Sequence, residues 1–245
     1  MRKGMKTILV MHDSVFGRYL AASLYDDGKV DQVIVETRGP GLRYYWRKFR
    51  RVGPVNALFQ AWLNRAFQRR GRRWLPRRTL PPHLTIDNVN EYCFDPEDFV
   101  IGFGTSLVLP HTLNSLKHGF LNLHTGWLPD FRGVKSEFWT LLQGDTERAG
   151  WTLHYMVPQL DAGDIVLRRA VPAWPDDPVA LRARLLQDAV PAVGEFIEMV
   201  RHIGPERVPR MAQEGGTYYT TPTLADWRQY RRGRAGKSRS TEGNA

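Results

Sequence analysis

The chain of 245 residues holds one cysteine, Cys93. A single thiol excludes an internal disulfide framework and fits a reducing compartment. Metal-ligand patterns are missing as well: the 7 histidines are scattered, and none stands with Cys93 at zinc-ligand spacing. No G-x-G-x-x-G follows the first apolar run, so the fingerprint of a nicotinamide dinucleotide is absent. No apolar run approaches the roughly 20 residues that a membrane-spanning helix needs. The opening MRKGMKTILVMHDS is positively charged, but its apolar stretch is too short for the core of a signal peptide. These absences together predict a cytoplasmic globular protein with no metal and no NAD.

Acidic residues are missing from two segments. Residues 43–78 contain 12 Lys or Arg and no Asp or Glu, and residues 228–239 contain 6 more, again without an acid. Those segments hold 18 of the 35 basic residues, which leaves 17 against all 25 acidic ones. The net charge of +10 thus belongs to a mildly acidic body, net −8, that carries two basic segments. A protein built to engage a duplex with a whole face is patterned differently, and nucleic acid is not the expected partner.

What is present alternates between strand and helix. KTILVMHDS reads as a strand running into a polar loop, VFGRYLAASLYDDG as a helix stopped by Gly28, and VDQVIVE as a second strand. In the first basic segment Pro54 is placed to open a helix. There Val55, Leu58, Phe59, Trp62, Ala66 and Phe67 recur at three- and four-residue spacing as one apolar stripe. This basic helical insertion, residues 41–80, fits a helix docked on the body with its arginines in water. The second reading is an amphipathic element that touches an anionic membrane surface or ligand phosphates. Further on, DFVIGFG and FLNLH read as strands, PHTLNSLKHG as a helix, and SEFWTLLQGD as a helix capped by Ser136 and ended at Gly144. WTLHYM and DIVLRRAV read as strands joined by the turn QLDAGD, and a long helical span follows from Pro178. The expected architecture is α/β, a mostly parallel central sheet flanked by helices. The expected division is a catalytic domain over residues 1–209 and an irregular extension over 210–245, disordered past residue 231.

The chemistry concentrates in NLHTGWLPDFRG, residues 122–133. If Leu121 and Leu123 point to one face of their strand, Asn122 and His124 share the other, at an end where open α/β sheets bind ligands. An amide donor beside an imidazole suits a reacting carbonyl, since both can donate to a developing oxyanion and the imidazole can pass a proton. QLDAGD adds Asp161 and Asp164 on a tight turn, where a carboxylate beside an imidazole would orient it and favour its charged form. Taken singly, His124 could be an ordinary hydrogen-bonded turn residue and the two aspartates ordinary turn chemistry.

NLHTGWLPDFRG, FWTLLQGD, GWTLHYM and LDAGDIV, in this order and spacing, resemble the signature of the folate-dependent formyltransferase family. The likeness is dense over residues 100–171 and extends as an α/β pattern from Lys6 onward. It implies a Rossmann-like formyltransferase fold and direct transfer of a formyl group from N10-formyltetrahydrofolate to an amine of a small-molecule acceptor. It also implies that Asn122 and His124 stabilise the tetrahedral oxyanion. Asp161 would sustain the His124 charge and help the attacking amine lose its proton, with Asp164 the weaker candidate. The pterin would lie against residues 161–163 (Asp161, Ala162, Gly163) and the strand end at Gly104, Leu107 and Val108. Thr125, Gly126, Arg132 and Gly133 would shape the acceptor side.

Departures from the family narrow the acceptor. The loop HDSVFG lacks the Gly/Ser-rich phosphate loop of the purine-pathway member, and too little chain follows Pro209 for the C-terminal β-barrel of the tRNA-modifying member. Thr125-Gly126 replaces the more usual Pro-Ser after the histidine. The tail GGTYYTTPTLADW resembles that of members that formylate nucleotide-linked amino sugars, which makes an amino sugar the expected acceptor. Hydrolysis of the formyl folate, with water in place of the amine, remains an alternative. So does a basic nucleic-acid- or membrane-binding protein with vestigial catalytic motifs. A homodimer is compatible with either.

Overall fold

The computed structural model describes residues 5–37, 42–171 and 177–242. Its central strands are nearly continuous apolar runs, as burial on both faces requires. Strands β1 (Thr7–His12), β2 (Gln32–Glu36), β3 (His83–Ile86), β4 (Phe99–Phe103) and β5 (Phe120–His124) pair in parallel in the order β3-β2-β1-β4-β5. A short strand outside this sheet, β6 (Phe131–Gly133), comes next in the chain. Strands β7 (Gly150–Tyr155) and β8 (Ile165–Ala170) then extend the sheet beyond β5 in antiparallel fashion. The sheet is therefore mostly parallel and α/β, as the sequence predicts.

Alternation sends neighbouring side chains of β1 into different cores. Leu9 and Met11 join one with Leu20, Leu63, Phe67 and Leu185. Ile8 and Val10 join the other with Val89, Phe94 and Leu116. The first core lies under α1 (Val15–Asp26), α2 (Leu42–Trp74), α4 (Ser136–Gln143) and α5 (Pro178–Ile203), and the smaller one lies on the side of α3 (Pro110–Ser115). Ser14 opens α1 by accepting the Gly17 N–H at 2.9 Å. Asp177 caps α5 through the N–H groups of Val179 and Ala180, with Pro178 in the first turn. Such caps satisfy donors that a helix start leaves without intrahelical partners.

Helix α2 is two helices end to end. Gly53 interrupts it at φ 78, ψ 160, a conformation closed to other residues, and Pro54 opens the second part as its fixed φ favours. Gln60, Leu63, Phe67 and Gly71 form the buried face of that part.

The C-terminal segment differs from the irregular tail that its Gly-Gly and Thr-Pro pairs predict. β9 (Thr217–Tyr219) pairs with β6 in a second, two-stranded sheet, and α6 (Leu224–Glu242) follows. Aromatic packing is the reason. Trp227 stacks on Phe138 with ring centres 5.4 Å apart, Tyr230 lies 5.4 Å from the same ring, and Phe59 of α2 lies 6.2 Å from Trp227. Gln60 donates to the Thr221 carbonyl at 2.9 Å, and Asn56 accepts the Leu224 N–H at 3.1 Å. α2 and α6 consequently lie side by side.

Candidate active site

Strand register assembles the first half of the site. In the antiparallel pair β5/β7, Asn122 stands opposite His154 and His124 opposite Thr152. Directly opposed side chains on one face are in reach of each other. Asn122 Nδ2 lies 3.2 Å from His154 Nε2, while His154 Nδ1 lies 2.9 Å from the Tyr155 carbonyl oxygen. That Nε2 is thereby placed between the Asn122 amide and the Asp161 carboxylate. On His124, Nε2 donates to the Phe131 carbonyl at 2.8 Å, which leaves Nδ1 on the side of Asp161.

Asp161 sits on the turn between β7 and β8 at φ 51, a left-handed conformation that aspartate tolerates. Its Oδ2 accepts the Gly133 N–H at 2.7 Å and lies 3.9 Å from His124 Nδ1; its Oδ1 lies 3.5 Å from His154 Nε2. Burial alone would push this carboxyl up. The charge of His124, the hydrogen bond and charge of His154, and the Gly133 N–H together outweigh burial and hold it well below the usual carboxylate range. Asp161 is therefore a carboxylate shared between two imidazoles.

Next comes the loop that follows His124. Thr152 Oγ1 donates to the Gly126 carbonyl at 2.8 Å and accepts the Leu128 N–H at 3.2 Å, pinning the loop from beneath. Thr125 is buried and its hydroxyl reaches Glu137 at 3.4 Å. A Cβ on Gly126 would lie 2.6 Å from His124 Nε2 and 2.6 Å from Ser136 Cβ. Gly126 thus has a steric basis: no side chain fits where the imidazole and Ser136 meet. Ser136 also corrects an expectation. The cap of α4 is Lys135, and Ser136 is the first helical residue. Its hydroxyl is drawn instead to the Phe131 carbonyl and His124 Nε2, both at 3.1 Å.

These groups face a cavity of about 490 Å³ at the carboxyl end of the parallel strands. That is within the range of small-molecule sites, roughly 300–1,000 Å³. Of the residues expected there, Asn122, His124, Asp161, Gly104, Leu107, Val108, Thr125 and Gly133 line it. Ala162, Gly163, Gly126 and Arg132 lie outside the lining, as does Asp164. Arg132 turns away to donate to the Leu160 carbonyl at 2.8 Å, and so ties β6 to the Asp161 turn. Gly163 packs so closely that a Cβ would meet the Tyr155 carbonyl oxygen at 2.1 Å.

Among the lining residues that sequence reasoning missed are His154, Lys135, Ser136 and Arg182. The alternation of β7 carries a signal for His154, since it follows Thr152 on the face that looks at Asn122 and His124. Lys135 adopts φ 60, ψ 40, and its ammonium lies 3.7 Å from the centre of the Phe67 ring. Lys135 is half-buried and borders the cavity. Burial and the nearby Arg182 charge push the ammonium down to about 7, against the pull of Glu137. Arg182 in turn lies 3.7 Å from the buried Glu137 carboxylate. Among the described residues, no group of three or more His, Cys, Asp and Glu could hold a metal ion.

A family model described as Formyl transferase matches residues 6–193. A methionyl-tRNA formyltransferase from Listeria innocua is 38% identical over 103 residues, 38% of this chain and 33% of that protein. The match thus spans a third of that relative's length. A sugar N-formyltransferase from a Shewanella species superposes with a TM-score of 0.55 at 15% identity, covering 92% of this chain and 86% of its own. An N-formyltransferase from Helicobacter canadensis, solved with folinic acid and dTDP-3-aminofucose, gives 0.55 at 13% identity, covering 87% and 70%. At these identities the likeness to the solved structures is one of fold.

Proposed function

The chain belongs to the formyl transferase family, and from the geometry of its cavity we propose that it transfers a formyl group from N10-formyltetrahydrofolate to the amine of a small-molecule acceptor. The observation that carries this reading is the convergence of Asn122, His124, His154 and Asp161 on one cavity wall. The amine nitrogen attacks the formyl carbon, forming the new C–N bond and turning the carbonyl oxygen into an oxyanion. Asn122 donates one N–H to that oxyanion, and protonated His124 donates from Nδ1, the nitrogen that the Phe131 carbonyl leaves available. Donors fixed before the reaction stabilise this charge most effectively. Asp161, held ionised by its surroundings, lies 3.9 Å from His124 Nδ1 and accepts the proton shed by the amine, directly or through water. Collapse of the intermediate breaks the bond to N10, which takes up the proton.

The donor's pterin would occupy the side of Gly104, Leu107 and Val108, and the acceptor the side of Thr125 and Gly133. The proposed acceptor is an amino sugar linked to a nucleotide. A solved protein of the same fold that holds dTDP-3-aminofucose accords with this reading. The test is incubation with N10-formyltetrahydrofolate and a panel of nucleotide-linked amino sugars, followed by mass spectrometry. A formylated sugar is expected, with the rate falling by about 10²–10³-fold on Asn122→Ala and further on Asn122→Ala/His124→Ala. Release of formate without any acceptor, and no formylated sugar, would overturn the transfer reading.

A further inference from the structure

The two basic segments, separated by some 150 residues of chain, meet on one face. In the second part of α2, Val55, Leu58, Trp62, Arg65, Arg69 and Arg72 follow one another at three- and four-residue spacing, and all are exposed. They lie opposite the buried Leu63 and Phe67. The first half of this stripe is apolar and largely exposed: Val55 is 62%, Leu58 71% and Trp62 55% exposed, with Trp62 in ring contact with Phe59 at 5.7 Å. Beside it runs α6, whose Arg231 and Arg234 share a groove with Trp62, Trp227 and Tyr230. Arg228 and Arg232 are exposed on the same helix. No acid occurs in residues 43–78 or 228–239; Asp177 in the groove pairs with Arg70, and the exposed arginines of both helices leave the face positive around the apolar ridge.

Helical spacing carries the argument to a specific partner. A docked helix should bury its apolar stripe and expose its charges; α2 does bury one such stripe, and then exposes a second. An amphipathic helix with Trp and Leu on one side and arginines along its flanks lies in the interface plane of an anionic bilayer. Its aliphatic and indole groups enter the headgroup boundary, and each arginine near the surface adds electrostatic attraction. A nucleic acid accounts for the arginines, but Val55 and Leu58 offer nothing to phosphates or base edges. We propose that the exposed stripe of α2, flanked by the start of α6, is a docking surface for a membrane rich in anionic phospholipid. The same two helices border the catalytic cavity, which Asn64 of α2 and Thr221 just ahead of α6 help to line. Docking would hold the cavity mouth close to the lipid plane.

The surface is independent of the formyl-transfer reading and is tested without measuring activity. The full chain is floated with phosphatidylcholine vesicles, with and without phosphatidylglycerol, at low and high salt. Binding to the anionic vesicles is expected, with a loss of about tenfold or more on omitting phosphatidylglycerol. Leu58→Ser/Trp62→Ser leaves the net charge and the buried face intact, and is expected to weaken binding roughly tenfold. Arg65→Gln/Arg69→Gln is expected to do the same at low salt. Circular dichroism melts confirm that both variants remain folded. Three outcomes overturn the proposal: no flotation with either vesicle, flotation indifferent to Leu58→Ser/Trp62→Ser, or self-association through this stripe in light scattering without lipid. Tight, salt-sensitive binding to bulk tRNA that outcompetes the vesicles would also overturn it, and would assign the face to nucleic acid instead.

Discussion

Gly126 is the position where the site has least room. Gly126→Ala puts a methyl 2.6 Å from His124 Nε2, so the imidazole or Ser136 must move. Displacing a reacting group by about 1 Å can cost around 10²-fold. The expected result is a variant that melts normally but turns over about a hundred times more slowly in a formyl-transfer assay. Full activity would mean that His124 does not need its present position. Lys135 offers a test by pH. Below about pH 7 the proton is bound in both the folded and the unfolded chain, so the cost of burying the ammonium is fully present. As pH rises from about 7 toward 10.5 the folded chain releases the proton first, and the cost fades. Lys135→Met should therefore melt about 4–8 °C above the parent near pH 6, with the gap closing toward pH 10. A gap that stays constant with pH rules out this account. The sequence reveals Asn122 and His124 because strand alternation puts them on one face, and Asp161 because the family pattern reaches it. Lys135 and Arg182 are invisible there, since what sets them apart is burial, and burial belongs to the assembled fold.

Elements taken one by one were legible where local signals agreed. Pro54 opens a helix, and the central strands fall on the apolar runs that announce them. α6 was not legible, because its composition describes a solvated tail and its helix is held by contacts far away in sequence. Most helical stability in proteins comes from such packing rather than from propensity. Trp227 meets Phe59, Phe138 and Tyr230, three rings from three elements. Trp227→Ala should cost about 2–4 kcal/mol of unfolding free energy in urea. It should also expose α6 to proteolysis ahead of the sheet. Protease resistance equal to the parent's would mean that α6 is anchored elsewhere.

At the scale of the molecule, the sequence announced a mostly parallel α/β sheet but not the small sheet that seals the site. β6 follows His124 closely, whereas its partner β9 lies beyond α5, and no short-range pattern links FRG to TYY. The pairing is reinforced on both sides: Val134 N–H donates to the Tyr219 carbonyl at 3.0 Å, and Trp139 stacks on Tyr219 with ring centres 5.0 Å apart. A chain truncated after Val208 should keep the far-UV spectrum of the large sheet, yet lose transfer activity by about 10²-fold or more as the loop around Gly133 loosens. Undiminished turnover in that truncation would show that β9 is dispensable.

The same pairing sets an order in time. Every side chain of the proposed reaction lies at or before Asp161, yet the strand that steadies their loop begins only at Thr217. At roughly 5–20 residues per second, a ribosome needs several seconds more to supply it. A nascent chain in that interval carries all of its chemistry and lacks the clamp that holds it in place. The proposed chemistry thus waits on β9 for the strand that steadies it.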